Sequence, residues 1–398
     1  MMEARNGGEL EMSSLYGVED DPLEGRGMRS DIALCLSGGG YRAMLFHLGA
    51  LWRLNEIGYL SKVARVSSVS GGSIVAGMLG LAWSRLAFNQ IGVAEQFVAE
   101  VAAPVRRIAG RTIDVWAVLG GMVGPGTAND YLAGFYRRYL FGHYTLQDLP
   151  DDRQGPRFVI NASNVQSGRL WRFSRPYMRD YRVGEVKAPT VELAVAVAAS
   201  SACPPWLSPA RLHLDEADFT PNTGDDLQRP PFTTRVVLTD GGVYDNLGLE
   251  AAKGYRTILV SDGGALIAPQ AVPGRNAFSH LYRMYGIVDS QVRSLRKRQL
   301  LRSFTAPSQD DDHRDGAYWG IGTKIVGYGL IDALPCPPEA TARLATTSTR
   351  LRRLWPDAQE QLINWGYAAC DAAMRRWVDP SLPAPDAFPF PAIGIGCR

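Results

Sequence analysis

Cysteine is scarce and scattered in this chain. Its five residues, Cys35, Cys203, Cys336, Cys370 and Cys397, are odd in number and form no C-x-x-C pair. Neither a disulfide framework nor a metal site is therefore expected, and a reducing, cytoplasmic compartment fits best. Charge of one sign is also lacking: a net charge of +2 over 398 residues offers no basic face, so nucleic acid is not expected as a partner. Long apolar runs are missing too. The stretch 115–129 carries three glycines before Pro125, and 193–210 is broken by Ser200, Ser201, Pro204 and Pro205. Neither should span a bilayer, which leaves at most peripheral contact with a membrane.

The first thirty residues carry Glu3, Arg5, Glu9, Glu11, Glu19, Asp20, Asp21 and Glu24 with no apolar core. They read as a polar N-terminal tail, not as a signal peptide. Histidine is sparse as well: His47, His143, His213, His280 and His313 all stand outside short polar motifs at strand ends. His47 falls in an apolar helix-type run, where a core or surface histidine with satisfied hydrogen bonds is the ordinary reading.

What is present is an ordinary globular composition with 46% hydrophobic residues and a regular alternation of strand and helix signals. The length admits two to three domains or one large α/β domain with extensions. Residues 31–36 read as a buried strand, 43–57 as a helix, 63–69 as a second strand and 73–88 as a second helix, a succession that implies parallel pairing with right-handed crossovers. Further strands are expected at 157–164, 169–174, 234–239 and 257–261. Helices are expected at 190–202, 246–253, 276–305, 338–354 and 357–377, with surface loops at 212–232 and 306–315. The fold class is α/β, a three-layer sandwich around a mainly parallel sheet. Its expected divisions are the tail at 1–30, an α/β domain at 31–265 and a helical C-terminal region at 266–398.

Two glycine-bearing turns follow the first two strands: Ser37-Gly38-Gly39-Gly40-Tyr41-Arg42-Ala43 and Ser68-Val69-Ser70-Gly71-Gly72-Ser73. A serine hydroxyl needs a base within reach and donors for an oxyanion to carry out acyl transfer. Ser70 sits where a sharp strand-to-helix turn could present it, with Gly71 and Gly72 permitting the turn and Ser68 where a G-x-S-x-G elbow has its first glycine. The same stretch also reads as a tight turn with capping serines. Gly38, Gly39 and Gly40 could converge backbone N–H groups on an oxygen, or imitate a dinucleotide loop, although no ribose-binding acid follows at a suitable spacing. Arg42 could brace that loop or attract an anionic head group. For the base, Asp240 ends an apolar strand and is followed by Gly241 and Gly242. Asp262, in Ser261-Asp262-Gly263-Gly264, repeats the pattern as its rival; either could merely close a turn.

Together the stretches 37–43, 68–73 and 240–248 (Asp-Gly-Gly-Val-Tyr-Asp-Asn-Leu-Gly) resemble the patatin-like phospholipase family, which includes relatives of cytosolic phospholipase A2. Weaker support comes from 161–164, 199–205 and 316–320, and the resemblance covers residues 31–265. It implies a Ser70/Asp240 dyad without histidine, an oxyanion loop drawn from Gly38 to Gly40 with Arg42, no cofactor, and a phospholipid or other lipid ester as substrate. A transacylase using the same acyl-enzyme, or a dinucleotide-binding protein, are the alternatives. Val115 to Val123 could form a lid, an interfacial patch or a buried helix. Arg293, Arg296, Lys297, Arg298 and Arg302 could meet anionic head groups, or form a solvated face paired with Asp310, Asp311 and Asp312.

Overall fold

The computed structural model describes residues 28–264 and 267–396; all but the last three residues of the expected N-terminal tail, and Cys397, lie outside the described residues. Ten strands form one sheet: β1 (Arg29–Leu36), β2 (Val63–Val69), β3 (Arg157–Asn164), β4 (Arg169–Phe173), β5 (Tyr177–Asp180), β6 (Gly184–Lys187), β7 (Ala210–His213), β8 (Arg235–Asp240), β9 (Tyr255–Asp262) and β10 (Asp315–Gly320). The helices are α1 (Gly40–Glu56), α2 (Gly71–Ala82), α3 (Ala103–Ala109), α4 (Asp114–Val123), α5 (Ala128–Tyr136), α6 (Leu193–Ser200), α7 (Gly242–Asp245), α8 (Ala277–Thr305), α9 (Pro338–Ala345) and α10 (Pro356–Ala373).

The order β10-β9-β1-β2-β3 runs parallel, and β4, β5 and β6 continue it as an antiparallel edge. The parallel centre is what alternating strands and helices predict, because a crossover helix returns the chain to the same end of the sheet. β1 shows why the strand must be covered on both sides. Leu34 and Leu36 enter the main hydrophobic core, and Ala33 and Cys35 enter a second one on the opposite face. Burial on both faces explains the continuous apolar run, and helices cover both. On the first face α10 crosses α1 at a very short distance, because Gly49 meets the Ile363 carbonyl and Gly366 the Phe46 carbonyl. A side chain at either glycine would force the helices apart. On the second face α8 contributes Leu300 and Phe304.

The chain beyond residue 265 therefore adds β10 to the sheet and α8 and α10 to its two faces. The hairpin β5–β6 and the strand β7, each strand only four residues long, were not expected from sequence, nor was β10. The helix expected at 246–253 is replaced by α7 and a 3-10 turn at Glu250–Ala252. Gly248 takes φ +71° between them, and the Asp245 carboxylate accepts the N–H groups of Leu247 and Glu250 at 3.2 and 2.7 Å. The helix expected at 338–354 ends at Ala345. Beyond that point the carbonyls of Thr347 and Leu351 accept bonds from Arg42 and Ile113, so they are not available to a helical ladder.

Candidate active site

The turns after β1, β2 and β9 lie side by side at one edge of the sheet, since Leu36 is in register with both Ser68 and Ser261. Asp240 reaches that edge from another direction. β2 pairs with β3 up to Val69 opposite Asn161, and β8 runs antiparallel to β3 with Asp240 opposite Ala162, the next residue along. Asp240 does end an apolar strand, but β8 runs antiparallel to β3: it comes from the other end and stops where β2 stops. This head-on meeting brings Ser70 and Asp240 together.

Ser70 has φ +51° and ψ −117°, a backbone conformation that L-residues other than glycine rarely adopt. Its neighbours hold the strain. The Ser70 N–H donates to Ser200 Oγ at 2.9 Å, and Ser200 in turn donates to the Asn161 carbonyl at 2.6 Å. Ser200 Oγ is also 2.9 Å from Ser73 Oγ, which donates to Ser68 Oγ at 3.0 Å. Ser68, standing where an elbow motif has glycine, is thus accommodated as a buried hydrogen-bonding partner. Asn161 completes the frame by donating to Ser67 Oγ and to the Ser68 carbonyl, both at 2.9 Å. The stretch 199–205 supported the resemblance, but its role in holding the elbow was not legible, because Ser200 sits in an otherwise apolar helix. A polar residue ending such a helix was the only cue.

The Ser70 hydroxyl lies near enough to the Asp240 carboxylate to favour its ionised form. Burial pushes the Asp240 carboxyl up to about 6, opposed by the Gly242 N–H, which donates to it at 2.8 Å, and by Ser70, while the nearby Asp289 carboxylate pushes the same way as burial. Ser163 Oγ donates to the Asp240 carbonyl at 2.8 Å and fixes the turn from beneath. Tyr285 and Asp289 of α8, and Cys203, surround the same carboxyl; only a long-range meeting of α8 with this turn brings them there, so sequence reading missed them.

Of the glycine triplet, Gly39 and Gly40 have φ +144° and +57°, so the loop depends on glycine. Gly71 packs directly on the backbone of Gly40, and Gly38 on Ser70 and Asn246; Gly72 packs on the carbonyls of Leu36 and Ser37, and Gly241 on that of Asn161. The first residues of α1 and α2 therefore touch beside Ser70, so two helix N-termini, with their positive dipole ends, lie next to it. The Gly38 N–H is used within the fold, donating to the Asn246 carbonyl at 3.1 Å. Arg42 is 2% exposed, and its guanidinium donates to the carbonyls of Gly263 at 2.9 Å, Ala345 at 2.8 Å and Thr347 at 2.9 Å. As placed, Gly38 supplies close approach and Arg42 braces the loop; neither guanidinium nor Gly38 N–H is presented to Ser70 as the sequence reading expected.

Asp262 differs from Asp240 in its partners. Arg293 lies 3.1 Å away, Tyr318 donates to it at 2.7 Å and the Gly264 N–H at 2.9 Å, and together they hold its carboxyl down at about 2 in spite of burial. His47 is a buried brace: its Nε2–H donates to the Ser37 carbonyl at 2.9 Å and Nδ1 accepts from Ser261 Oγ at 2.7 Å. Burial lowers its pKa to about 4. Among the described residues no histidine is bonded to Ser70 or Asp240, and no group of three or more His, Cys, Asp or Glu is placed to hold a metal ion.

The basic cluster on α8 is not one face. Arg293 and Arg296 turn inward, Arg296 to Glu250 at 2.9 Å and to Asp245 at 3.8 Å, and Lys297 lies over the Tyr318 ring at 4.0 Å. Arg298 and Arg302 are exposed. The pairing expected with Asp310, Asp311 and Asp312 is replaced by these inward contacts. Helix α4 is not buried: Trp116, Leu119, Met122 and Val123 are exposed. Among the described residues no helix is long and apolar enough to cross a membrane.

A serine at a strained strand-to-helix elbow, set against two helix N-termini and a buried aspartate at the edge of a parallel sheet, defines an α/β protein with an elbow-type site. A family profile described as patatin-like phospholipase matches residues 34–253, and the chain belongs to that family. Comparison of the sequence with curated proteins finds no match. Among solved structures the fold is similar to human GIVD cytosolic phospholipase A2, with TM-score 0.50, 12% identity, and coverage of 85% of this chain and 60% of that one. The same human protein in complex with methyl gamma-linolenyl fluorophosphonate inhibitor and terbium chloride gives TM-score 0.50 and 14% identity over 86% of this chain and 57% of that one. At such identity the likeness shows the fold alone. The chain spans about 60% of the length of the first of these neighbours.

Proposed function

We propose that the protein is a lipid acyl hydrolase in which Ser70 is the nucleophile and Asp240 its base, acting on a carboxylic ester of a phospholipid or other lipid. The observation that carries this reading is the strained Ser70 beside a buried carboxylate whose pKa is raised to about 6. Asp240 is then ionised at neutral pH and more basic than an ordinary aspartate, which has a pKa of about 3.9.

As Ser70 Oγ attacks the ester carbonyl carbon, its proton passes to Asp240 and the carbonyl oxygen becomes an oxyanion. The N–H groups of Gly39, Gly40 and Gly71, at the two helix starts beside Ser70, are the donors assigned to it in this reading. Collapse of the tetrahedral intermediate breaks the bond to the leaving alcohol, which takes the proton from Asp240. Water, giving its proton to Asp240, then attacks the acyl-serine. Loss of the carboxylic acid returns the proton to Ser70. No step requires a cofactor.

The apolar surroundings of the site support a lipid substrate and peripheral contact with a membrane. Trp206 meets Phe278 at 5.7 Å, and α8 exposes Leu281, Tyr282, Met284 and Val288 on the segment that leads to Tyr285 and Asp289. The family relationship supports the same substrate class. An activity screen of the wild type and Ser70→Ala against phospholipids, lysolipids, acylglycerols and short p-nitrophenyl esters tests the reading. Hydrolysis by the wild type that Ser70→Ala abolishes is expected, and equal hydrolysis by both proteins refutes it. Added glycerol or lysolipid would reveal acyl transfer to an alcohol in place of water.

A further inference from the structure

A second concave surface lies apart from Ser70 and Asp240, between α4, α5 and the chain around Arg353. It is a shallow, solvent-open groove of about 730 Å³, and its walls include Trp116, Leu119, Val123 and Phe135. Two arginines, Arg111 and Arg353, line it as well. Each guanidinium is held over an aromatic ring, Arg111 over Tyr139 at 4.3 Å and Arg353 over Trp355 at 4.1 Å. Stacking orients a guanidinium without cancelling its charge. Among the described residues no carboxylate pairs with either arginine; the nearest acid in sequence, Asp114, is taken by Arg350 at 2.7 Å.

We propose that this groove binds a long-chain carboxylate, with the acyl chain against Trp116, Leu119, Val123 and Phe135 and the carboxylate between Arg111 and Arg353. The charge complementarity selects the occupant. Apolar walls alone would accept any hydrocarbon, whereas two uncompensated guanidinium forks favour an anionic head with two equivalent oxygens. Trp116, at 60% exposed, and Val123, at 86%, leave a large apolar surface in water that an acyl chain would cover. The groove also adjoins the oxyanion loop through the backbone. The segment that carries Arg353 offers its Arg350 carbonyl to the Tyr41 N–H and its Thr347 carbonyl to Arg42.

The site is independent of hydrolysis at Ser70, so its test uses binding in the Ser70→Ala protein. Titration calorimetry with dodecanoate should show saturable binding, weakened tenfold or more in the Arg111→Gln/Arg353→Gln variant and for dodecanol in place of the acid. Trp116→Ala, which leaves the charges in place, should weaken it several-fold. Far-ultraviolet circular dichroism confirms that each variant is folded. Unchanged affinity in the double arginine variant overturns the proposal. So does equal binding of dodecanol, or binding only to anionic vesicles and not to dispersed dodecanoate, which would make the surface a membrane contact instead.

Discussion

Two Asp-Gly-Gly turns stand at the same edge of the sheet, Asp240-Gly241-Gly242 after β8 and Asp262-Gly263-Gly264 after β9. Both carboxylates are buried, and both accept the N–H of the second glycine, at 2.8 and 2.9 Å. Their environments then diverge. Asp262 has Arg293 and Tyr318 and sits near 2; Asp240 has Ser70 and a like charge from Asp289 and sits near 6. One local sequence thus produces a structural anion and a candidate base, and the difference comes from long-range partners: whether α8 delivers an arginine or an aspartate. The Asp262 turn is still tied to the glycine loop after β1, since the Gly263 N–H is bonded to Ser37 Oγ and its carbonyl to Arg42.

The largest expected break in this comparison is catalytic. Asp240→Asn and Ser70→Ala should each lower turnover on the preferred ester by on the order of a thousandfold or more, whereas Asp262→Asn should lower it by about tenfold or less in the folded enzyme. Steady-state rates of the three variants decide it, and comparable losses at both aspartates would remove the distinction.

Stability should move in opposite directions. For Asp262 the folded pKa lies below the unfolded value, so its contribution is present above about pH 4 and is lost as pH falls toward 2. Its removal at neutral pH also leaves Arg293 buried without this partner, a loss of about 3 kcal/mol. For Asp240 the folded pKa lies above the unfolded value, so stabilisation is present below about pH 4 and lost as pH rises through 6. Asp240→Asn should therefore stabilise the fold at neutral pH, by on the order of 1–3 kcal/mol, at roughly 1.4 kcal/mol per unit. Urea denaturation of both variants at pH 7 provides the check, and destabilisation by both would contradict the assigned environments.

The smallest effect concerns Asp289, whose carboxylate raises the pKa of Asp240. Asp289→Asn should shift the acid limb of kcat/KM downward in pH by less than one unit, and no shift would show that burial alone sets Asp240.

Much of this arrangement was legible in the sequence. The parallel centre followed from alternating strand and helix patterns, and the elbow and glycine loop from residues whose backbone demands are local, such as Ser70 followed by Gly71 and Gly72. What was not legible depended on distant partners. Asp240 and Asp262 share one Asp-Gly-Gly pattern and were separated only by the resemblance carried by 240–248, because Arg293 and Asp289 reach them only once α8 is laid across the sheet. Arg42 looked free to face an anion, but the Ala345 and Thr347 carbonyls that engage it lie three hundred residues on. The antiparallel direction of β8 was likewise hidden, since an apolar strand looks alike in either direction.

The most direct measurement is the pH dependence of fluorophosphonate labelling at Ser70 in the wild type, Asp240→Asn and Asp262→Asn. The labelling rate should rise through an inflection near pH 6 in the wild type, keep that inflection in Asp262→Asn, and be slow and without it in Asp240→Asn. Rapid labelling with an unchanged inflection in Asp240→Asn would contradict the assignment of Asp240 as the base.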